Sequence, residues 1–166
     1  MADDILIRDV EGQDVITEAL MTLLNSFPGL ESDEYISFSA LGEDGGITFY
    51  PTDGAVIADE KEDILGDIHQ LCLYPFNVFC RHVGLNENRK ISTKEWLDTL
   101  GRWLEGQTVT IDNVDYKLSA YPVLTGDRKI KKIERQTPAY LDNINQNGTE
   151  DWAISLSVQY ENNFNR

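Results

Sequence analysis

Residues 91–106, ISTKEWLDTLGRWLEG, place large apolar side chains along one face of a helix. The apolar positions follow the spacing i, i+1, i+4, i+7 and i+8, as in a helix with one buried side. They are Trp96, Leu97, Leu100, Trp103 and Leu104. A face with two tryptophans needs a broad apolar partner, so we expect the rest of the chain to supply a sheet.

Both ends of this helix carry sequence signals. Ser92, followed three residues later by Glu95, predicts a capping box, with Ile91 and Trp96 as the hydrophobic staple beside it. Gly106 predicts the left-handed residue that follows a helix. The helix is therefore expected to begin after Ser92 and to end just before Gly106.

The first half of the chain predicts a second helix and several strands. An amphipathic pattern from about Asp14 to Pro28 predicts the helix. The predicted strands and loops are a hairpin of residues 35–41 and 47–50 around a turn at 42–46, a short strand at 56–57, and a charged loop at 59–63. The apolar run 64–83 predicts a central strand covered on both faces, with a bulge or break at Pro75.

The second half predicts strands and their turns. In order they are a hairpin of residues 108–111 and 116–124 around Asp112-Asn113, a strand at 128–135, a polar loop at 137–148 and an alternating strand at 152–160. The full order predicts a single α+β domain over residues 1–166. Its sheet is expected to be mostly antiparallel, with the two amphipathic helices packed on it.

The charge of the chain is unevenly distributed. The formal net charge is −15, from 29 acidic and 14 basic residues. Residues 1–67 contain 17 of the acidic and 2 of the basic residues, whereas residues 68–166 contain 12 of each. So negative a chain is repelled by phosphate unless the basic residues at 128–135 act alone, which disfavours nucleic-acid binding. No apolar run has the length of a membrane span or of a signal peptide, so we expect a soluble intracellular protein without a membrane partner.

No catalytic, cofactor or metal site is predicted. His69, Cys72, Cys80 and His82 are the residue types that bind zinc, whose ligands lie within about 2.3 Å of the ion. In one strand, however, Cys72 and Cys80 are about 26 Å apart, and His69 points away from the other three. Both cysteines are expected in the core. His82 is the only candidate general base, and no nucleophile elbow or phosphate-binding lysine accompanies it.

Two sets of charged residues are candidate interface residues. The basic set is Arg128, Lys129, Lys131, Lys132 and Arg135, and the acidic set is Asp59, Glu60, Glu62 and Asp63. The acidic set lacks the spacing of an EF-hand. One interpretation is that both sets are solvated surfaces that aid solubility. The other is that they are complementary surfaces for head-to-tail association of identical subunits.

Residues 36–57, 71–76 and 84–105 resemble a minor structural protein, often called a minor capsid protein, of siphophages and prophages of Gram-positive bacteria. The segments are ISFSALGEDGGITFYPTDGAVI, LCLYPF and GLNENRKISTKEWLDTLGRWLE. The order of elements is also similar to that of the tail terminator proteins of long-tailed phages. Those proteins form hexameric rings that cap the tail tube and join it to the head.

The resemblance implies a protein that assembles and catalyses nothing. Its expected partners are copies of itself, tail-tube proteins and head-completion proteins, and its expected location is the virion, with the host cytoplasm during assembly. It implies no cofactor and transfers no site residue to this chain. A second possibility within the class is another minor capsid or head-completion protein. A different class is an acidic inhibitor that imitates DNA charge and binds a host protein.

Overall fold

The structure, a computed structural model, describes residues 13–43, 45–52, 56–83 and 87–165. Two helices are present in these ranges, α1 (Gln13–Leu24) and α2 (Glu87–Leu104). The strands are β1 (Ile36–Phe38), β2 (Gly46–Pro51), β3 (Val56–Glu62), β4 (Asp67–Val83), β5 (Val109–Ile111), β6 (Val114–Tyr116), β7 (Asp127–Arg135), β8 (Tyr140–Ile144) and β9 (Thr149–Asn165). The predicted α+β class is confirmed.

Two long strands form the centre of a seven-stranded sheet. β4 and β9 have 17 residues each and pair antiparallel along their whole length, from Asp67 opposite Asn165 to Val83 opposite Thr149. The edge of β4 that faces away from β9 pairs with β2 and β3. The edge of β9 that faces away from β4 pairs with β7 and β8. β1 extends the sheet beyond β2, while β5 and β6 form a separate hairpin.

The helices cover one face of this sheet. Alternate residues of β4, such as Tyr74 and Phe76, join the buried core with Leu20 of α1 and Leu100 of α2. The residues between them, such as Leu73, remain half-buried. The prediction that this strand is covered on both faces is therefore wrong. Its second face is apolar enough to resemble a buried one in sequence, but no helix among the described residues lies on it.

The core contains the helix faces that the sequence predicted. Leu97, Leu100, Trp103 and Leu104 of α2 are buried, and Trp96 is half-buried. The ring of Phe27, just after α1, lies 5.5 Å from that of Trp96 and 5.2 Å from that of Trp103. Aromatic contacts of this kind stabilise beyond the area that they bury.

The C-terminus of α2 is as predicted and its N-terminus is not. Gly106 has a φ of 83°, and its N–H donates to the carbonyl of Trp103, while that of Gln107 donates to Arg102, both at 3.0 Å. These are the two hydrogen bonds of a Schellman motif. The helix begins at Glu87, so Ser92 lies inside it and does not cap it. Apolar periodicity marks where a helix touches the core, whereas its backbone hydrogen bonds can start a turn earlier.

Residues 35–50 do not form the predicted hairpin. β1 pairs parallel with β2, with Ile36 opposite Ile47. After β1, Ser39 takes a φ of 53°, and the chain runs back before β2 begins. Thr48 holds this return in place, since its hydroxyl accepts a hydrogen bond from the N–H of Ala40 at 3.0 Å. Residues 42–46 are therefore not the turn of a hairpin, and residue 44 lies outside the described residues. The direction of pairing depends on contacts between the strands, which local sequence does not encode.

Pro75 does not interrupt β4. The ladder with β9 continues through it, with Pro75 opposite Ser157. On the other side, its carbonyl accepts a hydrogen bond from Thr52 at 3.0 Å, at the place where pairing changes from β2 to β3. The missing N–H of the proline faces this gap, where the ladder requires no donor. The predicted bulge in β4 is wrong, and the break lies between its neighbours.

Three further strand boundaries differ from the prediction. The expected charged loop at 59–63 belongs mainly to β3, and the expected polar loop at 137–148 contains β8. The second strand of the predicted hairpin at 108–124 ends at Tyr116. The turn predicted at Asp112-Asn113 is confirmed, and the φ values of 50° and 63° at these two residues make it type I′. Polar segments become strands here because the long edges of β4 and β9 offer them backbone partners.

Candidate assembly surface

The basic set lies on β7, an edge strand that pairs only with β9 in the described part of the chain. Lys129, Lys131 and Lys132 are exposed, whereas Arg128 and Arg135 are half-buried. A bulge between Ile130 and Lys132 divides the strand. The predicted strand with a basic outer side is confirmed.

Several of these cations already contact acidic side chains of the same chain. Arg135 Nε lies 2.7 Å from Glu105, Lys132 Nζ lies 2.7 Å from Glu134, and Lys131 Nζ lies 3.3 Å from Glu161. The two lysine pairs are exposed, and exposed pairs contribute roughly 0–1 kcal/mol and exchange readily with other partners. Lys131 and Lys132 therefore remain available for contacts with a second molecule, whereas the less exposed pair of Arg135 with Glu105 is held more firmly.

The acidic set lies at the opposite edge of the sheet. Asp59, Glu60 and Glu62 are exposed residues of β3, which pairs only with β4 in the described ranges. Asp63 begins the turn into β4. The structure thus does not bring the acidic and basic sets together within one molecule, but places them on edges separated by β4 and β9.

The two edges are at the same level of the sheet. In one row across the strands, Asp59 is opposite Leu71, Leu71 is opposite Glu161, and Glu161 is opposite Lys129. The next row contains Glu60, Gln70, Asn162 and Arg128. Each of these rows begins with an acidic residue on β3 and ends with a basic residue on β7.

Hydrogen bonds connect the second row from edge to edge. The Nε2 of Gln70 donates to Glu60 at 2.7 Å, the Nδ2 of Asn162 donates to Gln70 at 3.1 Å, and the Nε of Arg128 donates to Asn162 at 2.9 Å. Gln70 and Asn162 are 5% and 1% exposed. Buried amides require such partners, since an unpaired buried polar group is costly. We call these four residues the polar row. The side-chain amides of Gln70 and Asn162 both have the oxygen on the side of the basic edge and the NH2 group on the side of the acidic edge.

Sequence analysis did not identify Gln70 or Asn162. The available signal for Gln70 is a polar residue at an apolar position of an alternating strand. Asn162 gave no signal, because the predicted closing strand ended at residue 160 and β9 continues to Asn165. Only the register of β4 with β9 places the two amides side by side.

A hydrogen-bonded turn with exposed apolar side chains joins β3 to β4. One carboxylate oxygen of Asp63 accepts hydrogen bonds from the N–H groups of Leu65 at 2.8 Å and Asp67 at 3.0 Å. Its other oxygen lies 3.2 Å from His69, and this contact raises the pKa of His69 and lowers that of Asp63. Ile64 and Leu65 are fully and 82% exposed. The sequence had assigned both to the buried central strand.

His82, the candidate general base, lies beside a protonated thiol. Its Nε2 is 2.9 Å from Cys80 Sγ, in a cavity of about 210 Å³ that is also lined by Glu34 and Trp96. Burial, with smaller contributions from Glu34 and Asp151, raises the pKa of Cys80 to about 12. At neutral pH the thiol therefore keeps its proton, which makes it a poor nucleophile.

The four residues that could have formed a zinc site are separated as expected. Cys72, Cys80 and His82 share one face of β4, whereas His69 is exposed on the other. Cys72 and Cys80 are buried and form no disulfide with each other. Across the described ranges, no three His, Cys, Asp or Glu residues are grouped so that they could bind a metal ion.

Comparison with known protein families and with curated protein sequences gives no match. In the part of the chain that the structure describes, neither helix is long and apolar enough to span a membrane.

Proposed function

We propose that this protein is a non-enzymatic structural subunit that assembles head to tail into a closed ring and caps the tail tube of a long-tailed phage. The observation that carries the proposal is the separation of charge across one sheet. Acidic residues line the β3 edge and basic residues line the β7 edge. A head-to-tail contact requires two different, complementary surfaces on each subunit.

The charges also disfavour the wrong contacts. β3 has three acidic residues and one basic residue, whereas β7 has five basic and two acidic residues. Two β3 edges repel one another, as do two β7 edges, while β3 and β7 attract. This pattern selects a heterologous contact, which generates a ring when the rotation between subunits closes.

The biological setting comes from the resemblance of residues 36–57, 71–76 and 84–105 to phage minor structural proteins. On this proposal the partners are the tail tube and the head-completion proteins, and the protein is part of the virion. The acidic excess of residues 1–67 suits a ring through which DNA passes, because like charges keep the DNA from adhering.

Self-assembly is tested by light scattering and electron microscopy at about 50 mM and about 1 M salt. We expect rings at low salt and a smaller assembly mass at high salt. The variant Lys131→Glu/Lys132→Glu should assemble more weakly, because it reverses two charges of the β7 edge. The control Arg102→Glu/Lys117→Glu, with the same change in net charge outside both edge strands, should assemble as wild type does. An assembly mass that is the same for all proteins at both salt concentrations would remove the charge argument.

The place of the ring in the virion needs a separate experiment. Purified protein is mixed with isolated tail tubes and examined by electron microscopy. Rings bound at tube ends support the tail terminator role, whereas rings that do not bind the tubes favour a minor capsid or head-completion role. A wild-type protein that stays monomeric up to about 1 mM refutes the assembly proposal. Tight binding of that monomer to a basic host nuclease would favour the inhibitor class.

A further inference from the structure

We infer that the outer edge of β3 in one copy pairs, strand to strand, with the outer edge of β7 in the next, so that the sheets of neighbouring copies become continuous. The pairing places residues 59–61 opposite residues 127–129. The inference rests on the proposed self-assembly and specifies its contact. Four features of the described residues carry it: strand direction, the direction of backbone groups, side-chain charge and the polar row.

Strand direction permits the contact without turning a subunit over. β3 is antiparallel to β4, β4 to β9, and β9 to β7. β3 and β7 therefore run in opposite directions. When a second copy is placed beside the first in the same orientation, its β7 meets β3 as an antiparallel neighbour. Every copy can repeat this contact, and the repeat forms a ring when the rotation between copies closes.

The backbone of β3 offers hydrogen-bonding groups on its outer side. Asp63, just after β3, donates its N–H to the carbonyl of Asp67 at 3.0 Å, so its backbone faces β4. Because the direction of the backbone groups alternates along a strand, those of Lys61 and Asp59 also face β4 and those of Glu60 face outward. In the described ranges, no backbone–backbone hydrogen bond is made on this outer side.

On β7, half of the outer side is already covered. The outward N–H of Ile133 donates to the Tyr121 hydroxyl at 3.3 Å, and that of Arg135 donates to Glu105 at 3.4 Å. The same alternation, followed back across the bulge, turns Arg128 and Ile130 outward. Both of these contacts lie after the bulge of β7. The section before it, residues 127–130, is as long as the section of β3 that follows its own bulge after Ile57.

Side-chain charges fit one register. Extending the rows of the sheet into the next copy places Asp59 opposite Lys129 and Glu60 opposite Arg128. The third row places Lys61 opposite Asp127, with the signs reversed. All three consecutive pairs are thus of opposite charge, and opposite charges across strands stabilise pairing. Charges and bulges on an edge strand normally prevent association with other sheets. Here the charges and bulges of β3 and β7 fit only one another, so they select a single partner edge.

The polar row continues across this contact. Within one copy it runs from Arg128 through Asn162 and Gln70 to Glu60. In the next copy the same row begins with Arg128, which the register places beside the Glu60 carboxylate. Because the backbone groups of Glu60 and Arg128 both face outward, the two residues form a hydrogen-bonded backbone pair when the strands meet. The assembled ring would then contain an uninterrupted belt of hydrogen bonds, closed by one carboxylate–guanidinium pair at each interface.

A charge exchange at this pair tests the register. The variants are Glu60→Arg, Arg128→Glu and the chain with both substitutions. Each single variant should associate at least about tenfold more weakly than wild type, because like charges then face each other. The double variant should recover assembly, because opposite charges face each other again. The side-chain amides of Gln70 and Asn162 can rotate, so that the hydrogen bonds of the polar row run in the reverse direction. An equimolar mixture of the two single variants should also assemble, which only a contact between residue 60 of one copy and residue 128 of another explains.

A proline substitution tests backbone pairing separately from charge. Glu60→Pro removes an outward N–H that donates to no backbone carbonyl in the described part of the chain, and proline is tolerated at such edge positions. The matched control is Glu60→Thr, which loses the same carboxylate but keeps the N–H. We expect Glu60→Pro to abolish assembly and Glu60→Thr only to weaken it. Circular dichroism verifies that both chains remain folded.

The outcomes separate this inference from the proposed function. Wild-type rings that persist in Glu60→Pro, or single variants that fail to complement one another in the mixture, would overturn the β3–β7 contact and leave ring assembly standing. A wild-type chain that never associates overturns both. Complementation in the mixture together with loss of assembly in Glu60→Pro establishes the contact.

Discussion

Gly101 lies in the interior of α2, where an alanine would have two effects of opposite sign. Alanine stabilises a helix interior by about 1 kcal/mol relative to glycine. A Cβ at this position, however, would lie 2.5 Å from Arg135 Cδ and 2.9 Å from Ile154 Cδ1. Arg135 is held by its ion pair with Glu105, and Ile154 is fully buried in β9. Neither neighbour can move away without disturbing other contacts.

The packing effect is expected to be the larger of the two. Overfilling a well-packed core costs about 1–3 kcal/mol, and the middle of that range is about 2 kcal/mol. After the gain of about 1 kcal/mol in helix propensity, Gly101→Ala should lower the free energy of unfolding by about 1 kcal/mol. For a chain of this size, that corresponds to a decrease in Tm of about 2–4 °C. Urea unfolding and a thermal scan, both followed by circular dichroism, measure the two quantities.

Ile154→Val supplies the matched test, because it removes the Cδ1 atom that the new methyl group would meet. Alone it should cost about 0.5–1.5 kcal/mol, but in the Gly101→Ala background it should cost distinctly less. The reasoning is refuted if Gly101→Ala is as stable as wild type, or if Ile154→Val costs the same in both backgrounds.

Three further predictions concern titratable groups. Arg81 contacts Asp151 at 2.6 and 2.9 Å and lowers the pKa of this carboxylate. Asp151→Asn should therefore lower the free energy of unfolding by about 1.5–3 kcal/mol at pH 7. In urea unfolding, the difference in stability between variant and wild type should shrink as the pH falls below the ordinary aspartate pKa of about 3.9. In an NMR titration, Asp63→Asn should lower the raised pKa of His69, and an unchanged midpoint would contradict the role given to this carboxylate. Since burial raises the pKa of Cys80 to about 12, the thiol should resist a thiol reagent at pH 8 until urea unfolds the protein; rapid labelling of the native chain would show that the thiol is accessible.

Much of the fold follows from local patterns. The apolar faces of α1 and α2, the Schellman end at Gly106 and the type I′ turn at Asp112 each depend on residues within one or two turns of chain. Such features are encoded in spacing and in glycine or asparagine positions, so they were predictable. The two charged sets were also identified from sequence, because their members are adjacent in the chain.

Other features depend on pairing between distant segments. The parallel direction of β1 and β2, the recruitment of residues 140–144 into β8, and the course of β4 through Pro75 are set by what lies beside each strand. A strand that is half-buried on its second face has the same apolar sequence as one that is fully covered. Local periodicity cannot distinguish these cases, because the deciding contacts are made across the sheet.

The sequence by itself determined that the chain has two amphipathic helices, that the rest of it forms a sheet, and that it carries an acidic and a basic set of residues. Only the tertiary structure placed those sets on opposite edges of one sheet, aligned Glu60 with Arg128 in one row, and connected them through Gln70 and Asn162. The physical reason is that charge and periodicity are local properties of a chain. Strand order and register are decided by long-range pairing, and they fix where each charge finally lies.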